Sequence, residues 1–122
     1  MLVWLVMIVL LLVQVVALYA EAPGEGEPFV PGQDKFGHVF LFGIPFAVAL
    51  VLRSRPVALG ILAHALVSEP LQGLLTTTRT VDVWDLVADL VGIGLAVVGV
   101  WWVRRWWARR SVETTPAEML VP

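Results

Sequence analysis

The chain has 122 residues, 59% of them hydrophobic and only 15% charged, with a mean hydropathy of +0.87. Soluble domains carry nearer a quarter charged residues, so this composition excludes an ordinary water-surrounded globule. The net charge of −2 says little about partners, and the absence of cysteine rules out a disulfide, a thiolate metal site and a cysteine nucleophile.

The charges fall in short patches between long apolar runs, the pattern of a polytopic membrane protein. Residues 1–20 are almost unbroken apolar sequence, with Trp4 and Tyr19 near the ends and Gln14 inside. Aromatic residues at both ends suit the two interfaces of a spanning helix. A cleaved signal peptide is the competing reading, and Ala20-Glu21-Ala22 imitates a cleavage box. There is no basic n-region, however, and the apolar stretch outruns a usual h-region. A retained membrane helix is therefore the reading adopted. Residues 21–33 hold Pro23, Gly24, Gly26, Pro28, Pro31 and Gly32, which makes a loop.

The second predicted helix covers about residues 35–52. Asp34 suits its N-cap or first turn, and Pro45 predicts a kink. Arg53-Ser54-Arg55-Pro56 makes a basic turn before the third helix, about residues 57–75, which carries His64, Ser68, Glu69, Pro70 and Gln72. A carboxylate in such a run must be paired, neutralised or open to an aqueous cavity. Residues 76–85 form a polar connection with Arg79, Asp82 and Asp85. The fourth helix, about residues 86–103, ends in Trp101-Trp102. Residues 104–122 then read as a basic interfacial segment, rich in Trp and Arg, with a disordered tail from Ser111.

These elements predict an all-α fold, one membrane domain over residues 1–103 built as a four-transmembrane-helix bundle. Arg53, Arg55 and the four arginines from Arg104 to Arg110 fall on one side of it. The positive-inside rule makes that side cytoplasmic, together with both termini.

With this topology three polar clusters reach one level. His38, Glu69 and Asp89 lie roughly 5 to 10 Å below the outer surface at ~1.5 Å of rise per residue. Asp34 and His38 share a helix face, as do Glu69 and Gln72. Asp82, Asp85 and Asp89 form one stripe that continues through Gly92, Ala96 and Gly99, small residues that let a neighbouring helix approach.

Asp34-Lys35-x-x-His38, then Glu69-x-x-Gln72, then Arg79 and Asp85-Leu-Val-Ala-Asp89-Leu-Val-Gly92 resemble the VanZ-like family of small bacterial membrane proteins over roughly residues 1 to 103. Two departures stand out: the family usually has Asn where this chain has Asp89, and an aliphatic residue where Pro70 follows Glu69. The resemblance implies a multi-pass protein of the bacterial plasma membrane and a cell-envelope role. The family's founding member is associated with low-level resistance to the glycopeptide teicoplanin.

In the cell-envelope context that the resemblance implies, an outward-facing polar pocket of Asp34, Lys35, His38, Glu69, Gln72, Arg79, Asp85 and Asp89 is expected to recognise a lipid head group, a lipid-linked cell-wall precursor or a glycopeptide. His38 with Glu69, Asp85 and Asp89 can instead hold a divalent metal. As acid or base, His38 with Glu69 or Asp89 can serve a small membrane enzyme. A third class is an oligomeric transporter of a small solute or proton. Each residue also has a plainer reading. Glu69 braces the bundle through Gln72, Arg79 or Lys35, Asp34 is a helix cap, Lys35 snorkels, and His38 donates to a carboxylate for packing. His64, about 140° around the helix from Glu69, reads as a separate interior hydrogen bond. Membrane lipids are expected partners, nucleic acid is not, and a homo-oligomer fits the transporter reading.

Overall fold

The structure is a computed structural model and describes residues 1–20, 33–76 and 81–113. Among these residues there are four α-helices and no strand: α1 (Leu2–Tyr19), α2 (Gln33–Val51), α3 (Arg55–Leu75) and α4 (Val83–Glu113). All four are long and apolar enough to cross a membrane. The protein is all-α, as its apolar runs require.

Several boundaries lie outside the predicted ones. Because α2 begins at Gln33, Asp34 sits in its first turn, where a negative charge favours the helix dipole. The turn residues Arg55 and Pro56 belong to α3, since proline lacks only a donor that the first turn leaves unused. The largest difference is α4, whose 31 residues give a rod of about 46 Å. No Gly or Pro interrupts residues 101–113, so the helix runs through the basic segment and takes in Ser111 to Glu113. The loop at 21–32, residues 77–80 with Arg79, and the tail at 114–122 lie outside the described residues.

Side-chain contacts fix the directions. Lys35 and His38 near the start of α2 meet Asp82, Asp85 and Asp89 around the start of α4, while Arg104 reaches the carbonyl of Leu50 near the end of α2. These two helices therefore run parallel. Ser68 and Glu69 late in α3 meet Asp89 and Asp82, so α3 is antiparallel to both. Gln72 bonds the carbonyl of Leu18, which places the end of α1 beside the end of α3. One end of the bundle is thus rich in carboxylates and the other in arginines. We call them the acidic and basic ends.

The core is thin and apolar: Met7 and Leu18 of α1, Phe42, Phe46 and Ala49 of α2, Ile61 and Ala65 of α3, Ile93 and Ala96 of α4. Large apolar side chains such as Val13, Phe40, Leu66 and Val98 face outward, the surface a lipid-surrounded bundle presents. The most extensive helix pair is α2 with α4, and glycine is the reason. A Cβ on Gly43 would lie 2.9 Å from the carbonyl oxygen of Gly92, and one on Gly92 would collide with the carbonyl oxygen of Val39. The small-residue stripe works at Gly92 and Ala96 but stops there. Gly99 is exposed, with nothing near its missing Cβ, because the bundle no longer covers that face.

Both internal prolines are accommodated within continuous helices. Pro70 removes the donor that would meet the carbonyl of Leu66. Between α2 and α3 the chain turns through Arg53 at φ 54°. Arg53 N–H donates to the Leu50 carbonyl and Ser54 N–H to the Ala49 carbonyl. This is the paired-bond geometry of a Schellman C-cap.

Candidate functional site

The acidic end gathers side chains from α2, α3 and α4 at one level. His38, Glu69 and Asp89 are 3%, 4% and 0% exposed, so the set forms a closed layer inside the bundle with Lys35, Asp82 and Asp85 at its rim. Helical spacing accounts for this. His38 and Phe42, four apart on α2, are both buried, and so are Asp89, Gly92 and Ala96 on α4, which presents them all to the helix interface.

At the rim, Lys35 Nζ donates to Asp82 Oδ2 at 2.8 Å and to Asp85 Oδ1 at 2.9 Å, with Asp34 Oδ2 at 3.4 Å. Lys35 is therefore a tie between two helix starts and does more than snorkel. Asp82 closes the first turn of α4, its Oδ1 accepting from Trp84 N–H and its carbonyl from Asp85 N–H. The Lys35 ammonium, with Trp84 N–H, holds the Asp82 carboxyl below the usual carboxylate range. Asp34 is half exposed and touches the set only through Lys35.

Deeper in, His38 Nδ1 lies 2.8 Å from Asp89 Oδ1, and Ser68 Oγ donates to Asp89 Oδ2 at 3.1 Å. Both oxygens of that buried carboxylate are thus engaged. The other imidazole nitrogen, Nε2, is 3.8 Å from Asp85 Oδ2, beyond hydrogen-bond distance. Glu69 Oε2 accepts the backbone N–H of Asp82 at 2.8 Å. Its Oε1 is buried and has no hydrogen-bond partner among the described residues. An orphaned carboxylate oxygen in the interior is costly, by about 1–3 kcal/mol or more.

The sequence reading is corrected at Gln72. It shares a face with Glu69, yet its amide turns to the Leu18 carbonyl at 3.3 Å, because α1 ends there with unpaired carbonyls. Gln72 is an α1–α3 tie, and Thr76 Oγ1 in turn donates to its carbonyl. The brace expected for Glu69 through Gln72 or Lys35 is supplied by the Asp82 amide. Asp89 is grouped in sequence with His38, Glu69 and Asp85 as a metal ligand. In the structure one ligand atom from each of His38, Glu69 and Asp85 lies within 4.8 Å of the others, while Asp89 stands behind the histidine on its far nitrogen. Arg79 lies outside the described residues.

Sequence reasoning assigned no role to Ser68, which bonds both Asp89 and the Ala65 carbonyl. The usable signal was its place on the face Ile61, Ala65, Ser68, Gln72, all buried. Tyr19, read as an interface aromatic, turns inward: its hydroxyl is 2.8 Å from His64 Nε2. His64 is the separate interior hydrogen bond that its helical angle predicts, and its ring also packs 5.5 Å from that of Phe42. Gln14 is buried nearby on α1, its Nε2 without a partner among the described residues.

At the basic end, residues 101–111 of α4 are all exposed. Arg110 stacks 3.8 Å over Trp106 and Arg105 sits 5.4 Å from Trp101. A shallow groove lined by Trp101, Trp102, Arg105, Trp106 and Arg109 lies there, at the far end from the carboxylates. The chemistry argues for the acidic end, where buried ionisable groups converge. Set against family models, curated proteins and solved structures, the chain matches none of them.

Proposed function

We propose that the chain is a VanZ-like, multi-pass protein of the bacterial plasma membrane, with both termini cytoplasmic. Its acidic end then faces outward and recognises the polar head of an envelope molecule: a lipid head group, a lipid-linked cell-wall precursor or a glycopeptide. One observation carries the reading. Three helices bring His38, Glu69, Asp85 and Asp89 to one level of the bundle and leave Glu69 Oε1 unsatisfied. Intramembrane carboxylates are expensive to keep and are therefore functional by default. Among the described residues, net negative charge around the Lys35 ammonium favours ligands rich in amines and hydroxyls, such as a glycopeptide or an aminosugar.

The test is binding to the purified chain in lipid nanodiscs, with teicoplanin and a lipid-linked cell-wall precursor as probes. Glu69→Gln and Asp85→Asn are expected to weaken the bound probe at least ten-fold. Equal affinity in wild type and both variants would rule out recognition at this end.

A second reading, catalysis, has one observation in its favour. The Asp89–His38 bond orients an imidazole as a carboxylate orients a general base. Ser68 is no nucleophile for it, since its one hydroxyl proton is shared between Asp89 and the Ala65 carbonyl.

A further inference from the structure

We infer that His38, Glu69 and Asp85 form a binding site for a divalent transition-metal ion, with Asp89 positioning the histidine ligand. Each of the three side chains divides its polar atoms between a brace and an open position. His38 commits Nδ1 to Asp89 and leaves Nε2 without a hydrogen bond among the described residues. Asp85 commits Oδ1 to Lys35 and points Oδ2 at His38. Glu69 commits Oε2 to the Asp82 amide and leaves Oε1 without a partner among the described residues, although the residue is only 4% exposed. Each side chain is thus braced by one atom and open at the other, and one ligand atom of each lies within 4.8 Å of the rest.

The distances are near those a metal needs. Bonds of about 2.0–2.1 Å in tetrahedral geometry set neighbouring ligand atoms roughly 3.3 Å apart. His38 Nε2 and Asp85 Oδ2 stand at 3.8 Å and the three ligand atoms lie within 4.8 Å of one another, so side-chain rotations that draw them together by up to about 1.5 Å close the site. A ligand imidazole with a carboxylate on its other nitrogen is the usual support of metal-bound histidine, fixing its tautomer and raising its basicity. Asp89 supplies that carboxylate and is itself held by Ser68.

The donor set selects the ion. One imidazole and two carboxylates suit Zn²⁺, Mn²⁺ or Fe²⁺, whereas Mg²⁺ and Ca²⁺ prefer oxygen throughout. A positive ion also relieves the excess of carboxylates around Lys35. Three protein ligands leave at least one coordination position open. On the proposed recognition role, that position gives an acid-rich site a way to hold the phosphate of a lipid-linked head group.

The rival account is a protonated His38 bridging Asp85 and Asp89 with no metal. The two are separated by titrating Zn²⁺ and Mn²⁺ into the chelator-treated full chain in detergent, with no lipid probe present. Calorimetry reads affinity and elemental analysis reads stoichiometry. One ion per chain is expected, weakened at least ten-fold by Glu69→Gln and by Asp85→Asn and unchanged by Glu113→Gln at the far end of α4. Asp89→Asn is expected to keep the ion but weaken it about 10- to 100-fold and to shift the visible absorption of bound Co²⁺. The wild-type Co²⁺ spectrum alone decides between imidazole ligation and carboxylate-only binding should a variant fail to fold. No saturable binding, a carboxylate-only spectrum, or equal loss in Glu113→Gln would overturn the site. An unchanged Co²⁺ spectrum in Asp89→Asn would overturn the role of Asp89. Metal binding without probe binding sinks the recognition reading alone, and the reverse sinks only the metal site.

Discussion

At Gly92 the absence of a side chain sets how close two helices come. Its missing Cβ would collide with backbone, the Val39 carbonyl, and not with a side chain that can swing aside. Gly92→Ala is therefore expected to push α4 off α2 and cost about 1–3 kcal/mol, read as a lower unfolding temperature in detergent. Gly94→Ala is the control. Nothing lies within 4 Å of its Cβ position, and replacing a helical glycine is worth up to about 1 kcal/mol of added stability. An equal gain at both positions would mean that helix propensity, not close approach, decides. The same residues show what was legible in the sequence. The run Asp85, Asp89, Gly92, Ala96 has one helical face written in its spacing, and the structure buries it from Asp89 to Ala96. Gly99 continues the spacing but not the contact, because a period marks a face and does not say how far the partner covers it. The Ser68–Asp89 bond was beyond reach for a related reason. It depends on the relative rotation of α3 and α4, which no single helix records.

Among the elements, the turn between α2 and α3 combines regular hydrogen bonding with a poor choice of residue. Arg53 adopts a left-handed φ of 54° at the position after the α2 cap, where a Cβ is disfavoured by about 1–2 kcal/mol. Arg53→Gly is expected to stabilise the bundle by up to about 1 kcal/mol, seen as a rise in unfolding temperature. A fall would show that the arginine side chain contributes more there than its backbone costs. The basic turn itself was legible as Arg53-Ser54-Arg55-Pro56, because proline punctuates helix starts. The true length of α4 was not. Trp and Arg mark an interface by their chemistry, but an interface does not end a helix, and nothing in residues 104–113 breaks one. From Arg104, which donates to the Leu50 carbonyl at 2.6 Å, α4 runs on for about 14 Å past the level where α2 ends. The arginine that marks the boundary also caps the neighbouring helix.

At the scale of the whole molecule, four apolar runs sufficed to specify the fold class, since in lipid only a helix satisfies its own backbone. The orientation rests on the arginines clustered at the basic end. It is tested by single cysteines in a chain that has none of its own. Glu25→Cys is expected to react with an impermeant thiol reagent on intact cells, and Arg109→Cys only after permeabilisation. Equal labelling would remove the outward-facing assignment of the acidic end. Which helices pair was harder to read than which segments are helical. Sequence neighbours usually pack together, yet here the broadest interface joins α2 to α4, with α3 between them in the chain. That parallel pairing gives the bundle a history. Gln33 and Val83 open the two helices fifty residues apart, so at a synthesis rate of about 5–20 residues per second α2 waits about 3 to 10 s for its partner. Throughout that interval Lys35 and His38 have none of the α4 carboxylates that later surround them. The Gly43 face meets lipid or the insertion machinery instead of Gly92. The half-made protein is its own weakest form, and the arrival of Asp82, Asp85 and Asp89 both completes the site and ends the exposure.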